Sequence, residues 1–192
     1  MTAVPSWVPL EETKPAPMPL LLVQAFVNTW ESDAGSDLLS DPETAGIWLH
    51  DAGLWDGDGA PSLEELRFAR EVRESLRCLL AQNGGGPPPS AGELRPLQEL
   101  ARTCRLRIDI GSDAAIHLEP DPGDGLDGRL FALLLVIRDA REDGTWQRLK
   151  TCDNEDCRWA FYDRSHTQRG RWCDMAVCGN RIKNRNLRER RR

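Results

Sequence analysis

Near the C-terminal end of the chain stand two Cys-x4-Cys pairs, Cys152 with Cys157 and Cys173 with Cys178, separated by fifteen residues. No other feature narrows the possible folds as far. Two close thiol pairs, brought together by a hairpin or a helix start, make the donor set of a tetrahedral Zn2+ site with Zn–S bonds of about 2.3 Å. The x4 spacing asks for a small loop in the first pair, and Asp153-Asn154-Glu155-Asp156 is made of residues that favour turns. Ordinary buried cysteines and two disulfides are the competing readings. The opening stretch MTAVPSWVPLEETKP has no basic segment followed by an apolar run, and Pro5 and Pro9 interrupt it. A cytoplasmic, reducing location is therefore expected, where paired cysteines bind metal more often than they oxidise. The expectation is one structural zinc on Cys152, Cys157, Cys173 and Cys178. Four thiolates leave no coordination position for water or substrate, so no enzyme is expected.

Charge divides the chain in the same place. The net charge of −6 argues, taken whole, against a nucleic-acid partner. Residues 1–150, however, hold 14 basic and 25 acidic side chains, and residues 151–192 hold 11 and 6. Past Cys178 there are seven basic residues and one acid, Glu189. A zinc centre with four thiolates itself carries about −2, so the basic charge that matters belongs to the terminal segment. Such asymmetry points to a contact with nucleic acid or a membrane surface. The longest apolar run, Leu130–Ile137, is far short of the ~20 residues of a membrane span.

The body reads as mainly helical. Residues 1–17 are Pro-rich and aperiodic, an extended arm. Pro19–Trp30 is apolar nearly all round and suits a buried helix. Pro42 suits the first turn of the next one. Ser62 and Glu65 have capping-box spacing ahead of a helix reaching Asn83, which Gly84–Pro89 ends. Ser90–Cys104 is again helical. Arg105–Ile110 and Ala114–Glu119 alternate on either side of Gly111-Ser112-Asp113 and read as a β-hairpin. Gly125–Arg141 is an apolar helix, and Trp146–Thr151 leads, extended, into the first cysteine pair. Cys78 and Cys104 read as small buried hydrophobes. His50, His117 and His166 show no ligand spacing, and the Asp56–Asp58 cluster is a turn rather than a calcium loop. Nothing in residues 1–150 argues for catalysis. An enzymatic reading would rest only on Asn28, Trp30, Trp48 and His50.

Between the cysteine pairs, Trp159–Tyr162 and Arg171-Trp172 have strand composition around a polar turn, so a hairpin from the first pair back to the second is expected. Trp159, Phe161 and Trp172 would form its small core. Cys173 and Cys178 are five apart, about 140° on an ideal helix, so both cannot face one metal from mid-helix. Cys173 should precede the terminal helix and Cys178 should lie in its first turn. Arg181, Arg185, Arg188 and Arg192 then form a basic stripe, with Asn180 and Asn184 one turn apart beside it and Lys183 adding charge. Arginine and asparagine read guanine and adenine edges, and further cations neutralise phosphates.

These residues resemble the CGNR zinc-finger family of bacteria. The signature is Arg171-Trp172-Cys173-x-Met175-Ala-Val177-Cys178-Gly179-Asn180-Arg181, preceded by Lys150-x-Cys152-x4-Cys157-x-Trp159-x-Phe161-Tyr162-Asp163. In that family the finger follows an ABATE domain, and Phe26-Val27-Asn28-Thr29 and Thr44–Leu54 are similar to that domain's opening. The resemblance implies four zinc ligands at the cysteines already named, a mostly helical N-terminal domain with a small β element, and a role in stress-linked transcriptional regulation. The expected architecture is mainly α (α+β). An arm over 1–17 leads into a helical domain over 18–147. A finger of β-hairpin and helix, treble-clef-like, covers 148–192. DNA is the expected partner, through Asn180, Arg181, Lys183, Asn184, Arg185 and Arg188. The alternative is an interaction module binding protein or RNA through the same helix. A homodimer through the N-terminal domain is expected, with no membrane contact; no small-molecule effector can be read from the residues.

Overall fold

The computed structural model describes residues 5–9, 12–32, 34–121 and 125–189. The first helix, α1 (Leu20–Val27), is the centre of the body: every residue but Leu22 is buried. Eight residues without a side-chain cap are too few to hold a helix in water. Burial does so instead, at about 1.5–3 kcal/mol for a side chain such as Phe26. A two-residue ribbon, β1 (Trp30–Glu31) with β2 (Ser36–Asp37), leads to α2 (Pro42–Asp51), where Pro42 opens the helix and Asp41 caps it at Thr44 N. The long helix α3 (Leu63–Asn83) starts at the expected box: Ser62 Oγ accepts from Glu65 N at 3.2 Å, and Ser62 N donates to Glu65 Oε2 at 2.7 Å. A second box, Ser90 with Glu93, starts α4 (Ala91–Thr103).

The expected hairpin is β3 (Leu106–Ile110) with β4 (Ile116–Pro120), antiparallel, Ile108 facing Leu118. It is followed by α5 (Gly125–Glu142). A single 3-10 turn over Trp146–Arg148 then precedes β5 (Leu149–Thr151), so the lead-in is extended only in its second half. The partner of β5 is β6 (Ala160–Tyr162). A wide turn over Met175–Gly179 opens the last helix, α6 (Asn180–Glu189). No helix among the described residues is long and apolar enough to cross a membrane.

One core runs through the body and into the finger's strands. α1 packs against α3, α5 and β6, and α3 packs against α4, α5 and β5. Leu149, Ala160 and Tyr162 belong to the same buried cluster as Phe26, Leu76 and Leu130. The arm joins it too: Val8 and Ala16 are buried, and Tyr162 N donates to Lys14 O at 2.9 Å. Cys78 and Cys104 are half-buried, and Cys78 lies 3.4 Å from Glu93 Oε1.

Candidate metal centre and basic helix

The strands place the first cysteine pair. Cys152 N donates to Trp159 O at 2.9 Å, extending the β5–β6 ladder by one step, so the knuckle forms the hairpin's tip. This differs from the sequence expectation, in which β6 would pair with Arg171-Trp172. The nearer partner wins: the chain folds back within the loop that the x4 spacing already demands. Arg171 keeps two links to the knuckle, both to Asp153: its carbonyl accepts from Asp153 N at 2.9 Å and its Nε donates to Asp153 Oδ2 at 2.5 Å. Phe161 is buried as expected, under Lys14 Nζ at 4.9 Å, while Trp159 and Trp172 are only half-buried.

Within the knuckle Asn154 does most of the organising. Its carbonyl accepts from Cys157 N at 2.9 Å and Arg158 N at 3.0 Å. Its Nδ2 donates to Cys178 Sγ at 3.8 Å, so one buried side chain ties the two pairs together. A donor to sulfur stabilises a thiolate and orients it on a metal. In the sequence Asn154 reads as a turn residue, since an Asn within a short x4 loop is too common to single it out.

The second pair resolves the helical spacing as anticipated. Cys173 precedes the helix, and Asp174 caps the wide turn, its side chain accepting from Val177 N at 2.9 Å. Both Cys178 N and Gly179 N donate to Asp174 O at 3.1 Å. Cys178 is thereby buried in the first turn, facing the knuckle. The Cys157 and Cys173 sulfurs are 3.6 Å apart, those of Cys173 and Cys178 3.7 Å, and all four lie within 4.8 Å of one another. These separations are too long for S–S bonds of about 2.05 Å. They match the ~3.8 Å edge of a tetrahedron with 2.3 Å metal–sulfur bonds. The four cysteines hold one structural zinc.

The electrostatics agree. Hydrogen bonds from the Cys157 and Cys173 thiols push Cys152 down to about 2. Cys157, whose proton the Cys152 thiolate holds, is pushed up to about 12, and Cys173 is raised for the same reason. Each further ionisation among Cys152, Cys157 and Cys173 is opposed by the thiolate already there. Only a bound cation offsets the further negative charge, which is what Zn2+ supplies.

Two signature residues acquire physical reasons. A Cβ on Gly179 would collide with Met175 Sδ and come within 3.2 Å of the Trp172 ring. Asn180 Nδ2 donates to Ala176 O at 3.1 Å, closing the wide turn, so this amide works within the chain. Beyond it, Arg181, Lys183, Asn184, Arg185 and Arg188 are all exposed on α6. Arg185 reaches Asp156 of the knuckle at 4.0 Å, with both side chains at least half exposed. Such a pair contributes at most about 1 kcal/mol and yields readily to a phosphate. Leu187 and Arg192, also expected on the helix faces, lie outside the described side chains.

Profile comparison matches residues 21–142 to the ABATE family, described as “Putative stress-induced transcription regulator”, and residues 148–191 to the CGNR zinc finger. The chain belongs to the ABATE family. No curated protein matches it significantly.

In this ABATE protein several residues tie body and finger together. Asn28 behaves as a surrogate strand residue: its Oδ1 accepts from Ala160 N at 2.7 Å and its Nδ2 donates to Ala160 O at 2.9 Å. Gln24 Nε2 donates to the same carbonyl at 3.2 Å. Arg77, 0 % exposed, donates to Val27 O at 2.6 Å and Arg158 O at 2.9 Å, and is paired with Glu74 at 3.0 Å. Trp30 lies under the Arg77 guanidinium at 5.0 Å. Trp48 Nε1 donates to Trp7 O at 3.0 Å, and the side chain of His50 is exposed. Asn28, Trp30, Trp48 and His50 are thus engaged in separate structural contacts or face water.

The loop after β6 is ordered around a buried ion pair. Lys150 Nζ donates to Asp163 Oδ2 at 3.0 Å, the two side chains being 5 % and 4 % exposed. Burial alone would raise the Asp163 carboxyl. Hydrogen bonds from Ser165, Lys150 and Gly170 outweigh it and hold the group at about 2. A Cβ on Gly170 would sit 2.8 Å from the Asp163 carboxyl carbon, which excludes any larger residue there. A depressed carboxylate stabilises the fold above its unfolded value of about 3.9 and loses that contribution as pH falls through its folded value. The urea midpoint should therefore drop between pH ~4 and ~2, and Asp163→Asn should remove that part of the pH dependence while lowering the midpoint at pH 7. An unchanged pH profile in the variant would show that Asp163 is not the group responsible.

Proposed function

We propose that this ABATE protein is a DNA-binding transcriptional regulator whose reading element is α6. The observation that carries the proposal is the placement of Arg181, Lys183, Arg185 and Arg188, exposed on one short helix that starts at a zinc ligand, in a chain otherwise strongly acidic. Phosphates are repelled by the body and accepted at this end. The zinc centre, filled by its own four thiolates, acts in the fold and not in chemistry. Asn184, one turn from the wide turn's end, and the arginines around it have the donor geometry for base edges; Asn180 is bound to Ala176 through its amide and serves mainly to hold the helix start.

The test is binding of the zinc-loaded chain to mixed DNA fragments, read by fluorescence anisotropy over a range of salt. Four cationic contacts predict a log–log salt slope of roughly −3 to −4. Arg185→Ala should lower that slope by about 1 with the zinc content unchanged. Binding that persists unchanged after zinc chelation, or no binding at any salt, would overturn the reading, and the second outcome would assign the helix to a protein or RNA partner.

A further inference from the structure

Most apolar side chains of this chain are inside; those of the β3–β4 hairpin are not. Ile108, Ile110 and Ile116 are each 70 % exposed and Leu106 45 %. The register sets Leu106 opposite Pro120, Ile108 opposite Leu118 and Ile110 opposite Ile116. All of these lie on one face, while Arg107, Asp109, His117 and Glu119 lie on the other. A two-stranded hairpin is marginal by itself, and proteins normally blunt or cover a free strand edge.

The two edges are not equivalent. The outer edge of β4 is broken by Pro120, which has no N–H to offer, and β4 lies next to α5. β3 is exposed along its whole length, contains neither Pro nor Lys, and among the described residues pairs with β4 alone. Its backbone is aimed outward at defined positions. Asp121 N donates to Arg105 O and Gly111 N to Ala115 O, both at 2.9 Å, so the odd-numbered residues of β3 bond inward to β4. The N–H and C=O groups of Leu106, Ile108 and Ile110 therefore point away from β4, to the free edge.

We propose that this edge pairs with the same edge of a second copy of the chain, antiparallel, about a two-fold axis through Ile108. In that register Ile108 faces Ile108 of the second copy, and Leu106 faces its Ile110. On the polar face Arg107 faces Asp109 of the second copy, and Asp109 faces its Arg107. Together with the Arg107–Glu119 and Asp109–His117 alignments inside each hairpin, oppositely charged or polar neighbours alternate across four strands. No nearby register does this. An axis through Arg107 or Asp109 sets like charges opposite one another, which is destabilising. An axis between residues sets the apolar face of one copy in line with the polar face of the other. The assembly also closes: after pairing, the outer edges are those carrying Pro120, so association stops at two.

Edge pairing of five residues makes a small interface, among those under about 1,200 Å², so the dimer is to be measured at chain concentrations on the order of 10–100 µM. Sedimentation velocity of the zinc-loaded full chain, without DNA, should show a reversible monomer–dimer equilibrium. Arg107→Asp or Asp109→Arg alone sets two like pairs across the axis and should weaken the dimer roughly tenfold. Mixing these two variants restores both opposite pairs and should restore dimerisation to near the wild-type level. Ile108→Arg, exposed in the monomer, should give monomer with normal zinc content and helical signal. A wild-type chain that stays monomeric over this range, single variants that dimerise as wild type does, or variants that do not complement on mixing would each overturn the proposal.

Discussion

Cys157→Ser, or treatment with a strong chelator, is expected to leave the chain without bound metal and to unfold the knuckle and residues 171–189, while the helices between 20 and 142 stay folded. Zinc contributes about 10–16 kcal/mol to small fingers at neutral pH, and nothing else at this end replaces it. Past Trp172 the described residues bury only Cys178 and Gly179, one a ligand and the other its neighbour. The unfolding should stop short of β5 and β6, because Leu149, Ala160 and Tyr162 are held in the body's core and Ala160 is bonded by Asn28 and Gln24. Zinc content by atomic emission, with hydrogen exchange read peptide by peptide, checks both parts. A variant that kept one zinc per chain and full protection over 171–189 would refute the four-cysteine site.

Arg77→Ala is expected to cost about 3 kcal/mol or more, because it takes a charged donor from two main-chain carbonyls at about 1–3 kcal/mol each, Glu74 being 41 % exposed and still paired with Arg73. The guanidinium satisfies Val27 O and Arg158 O at once and shares Glu74 with Arg73, which in turn holds Asp37 in a two-bond clamp at 2.6 and 2.8 Å. Removal takes this donor from the buried Val27 carbonyl and the part-buried Arg158 carbonyl and leaves one carboxylate short of a cation. Lysine cannot repair this, since a single ammonium on a flexible stem does not span the three acceptors. Arg70, whose contact is a hydrogen bond to Leu39 O at 2.7 Å, is the control: its replacement should cost nearer 1 kcal/mol. Urea denaturation of the zinc-loaded variants measures the difference, and equal losses at the two positions would show that the buried network carries no special weight.

The metal site was legible in the sequence because thiol spacing is a local property: the ligands, their closed coordination and the position of Cys173 ahead of the helix all follow from counting residues. The helix starts at Ser62 and Pro42 were legible for the same reason. What was not legible is what depends on distant partners. Lys150 and Asp163 are visible in the sequence only as parts of a signature; that they form a buried pair, and that β5 is the neighbour of β6, depends on the fold. Asn28 could be seen as part of a family motif, but its reason, Ala160 more than 130 residues away, could not. The arm reads as extended, but its docking was not legible, because a segment that packs through scattered residues such as Val8 and Ala16 leaves no period to detect. The hairpin is the reverse case. Its alternation was found, yet alternation ordinarily marks a face against the core, and here the core is elsewhere.

The Asn28–Ala160 pairing bears on how far this finger can travel between proteins. Residues 148–191 can be cut out of the sequence cleanly, but a graft of that segment onto another host would carry the zinc ligands and leave behind the amides that complete its strand. Leu149 and Tyr162 would face water, and the Arg158 carbonyl would lose its donor. A working chimera needs a recipient that presents an Asn and a Gln one helical turn apart, as α1 does with Gln24 and Asn28. Shuffling of this finger is therefore restricted to hosts that already carry its socket.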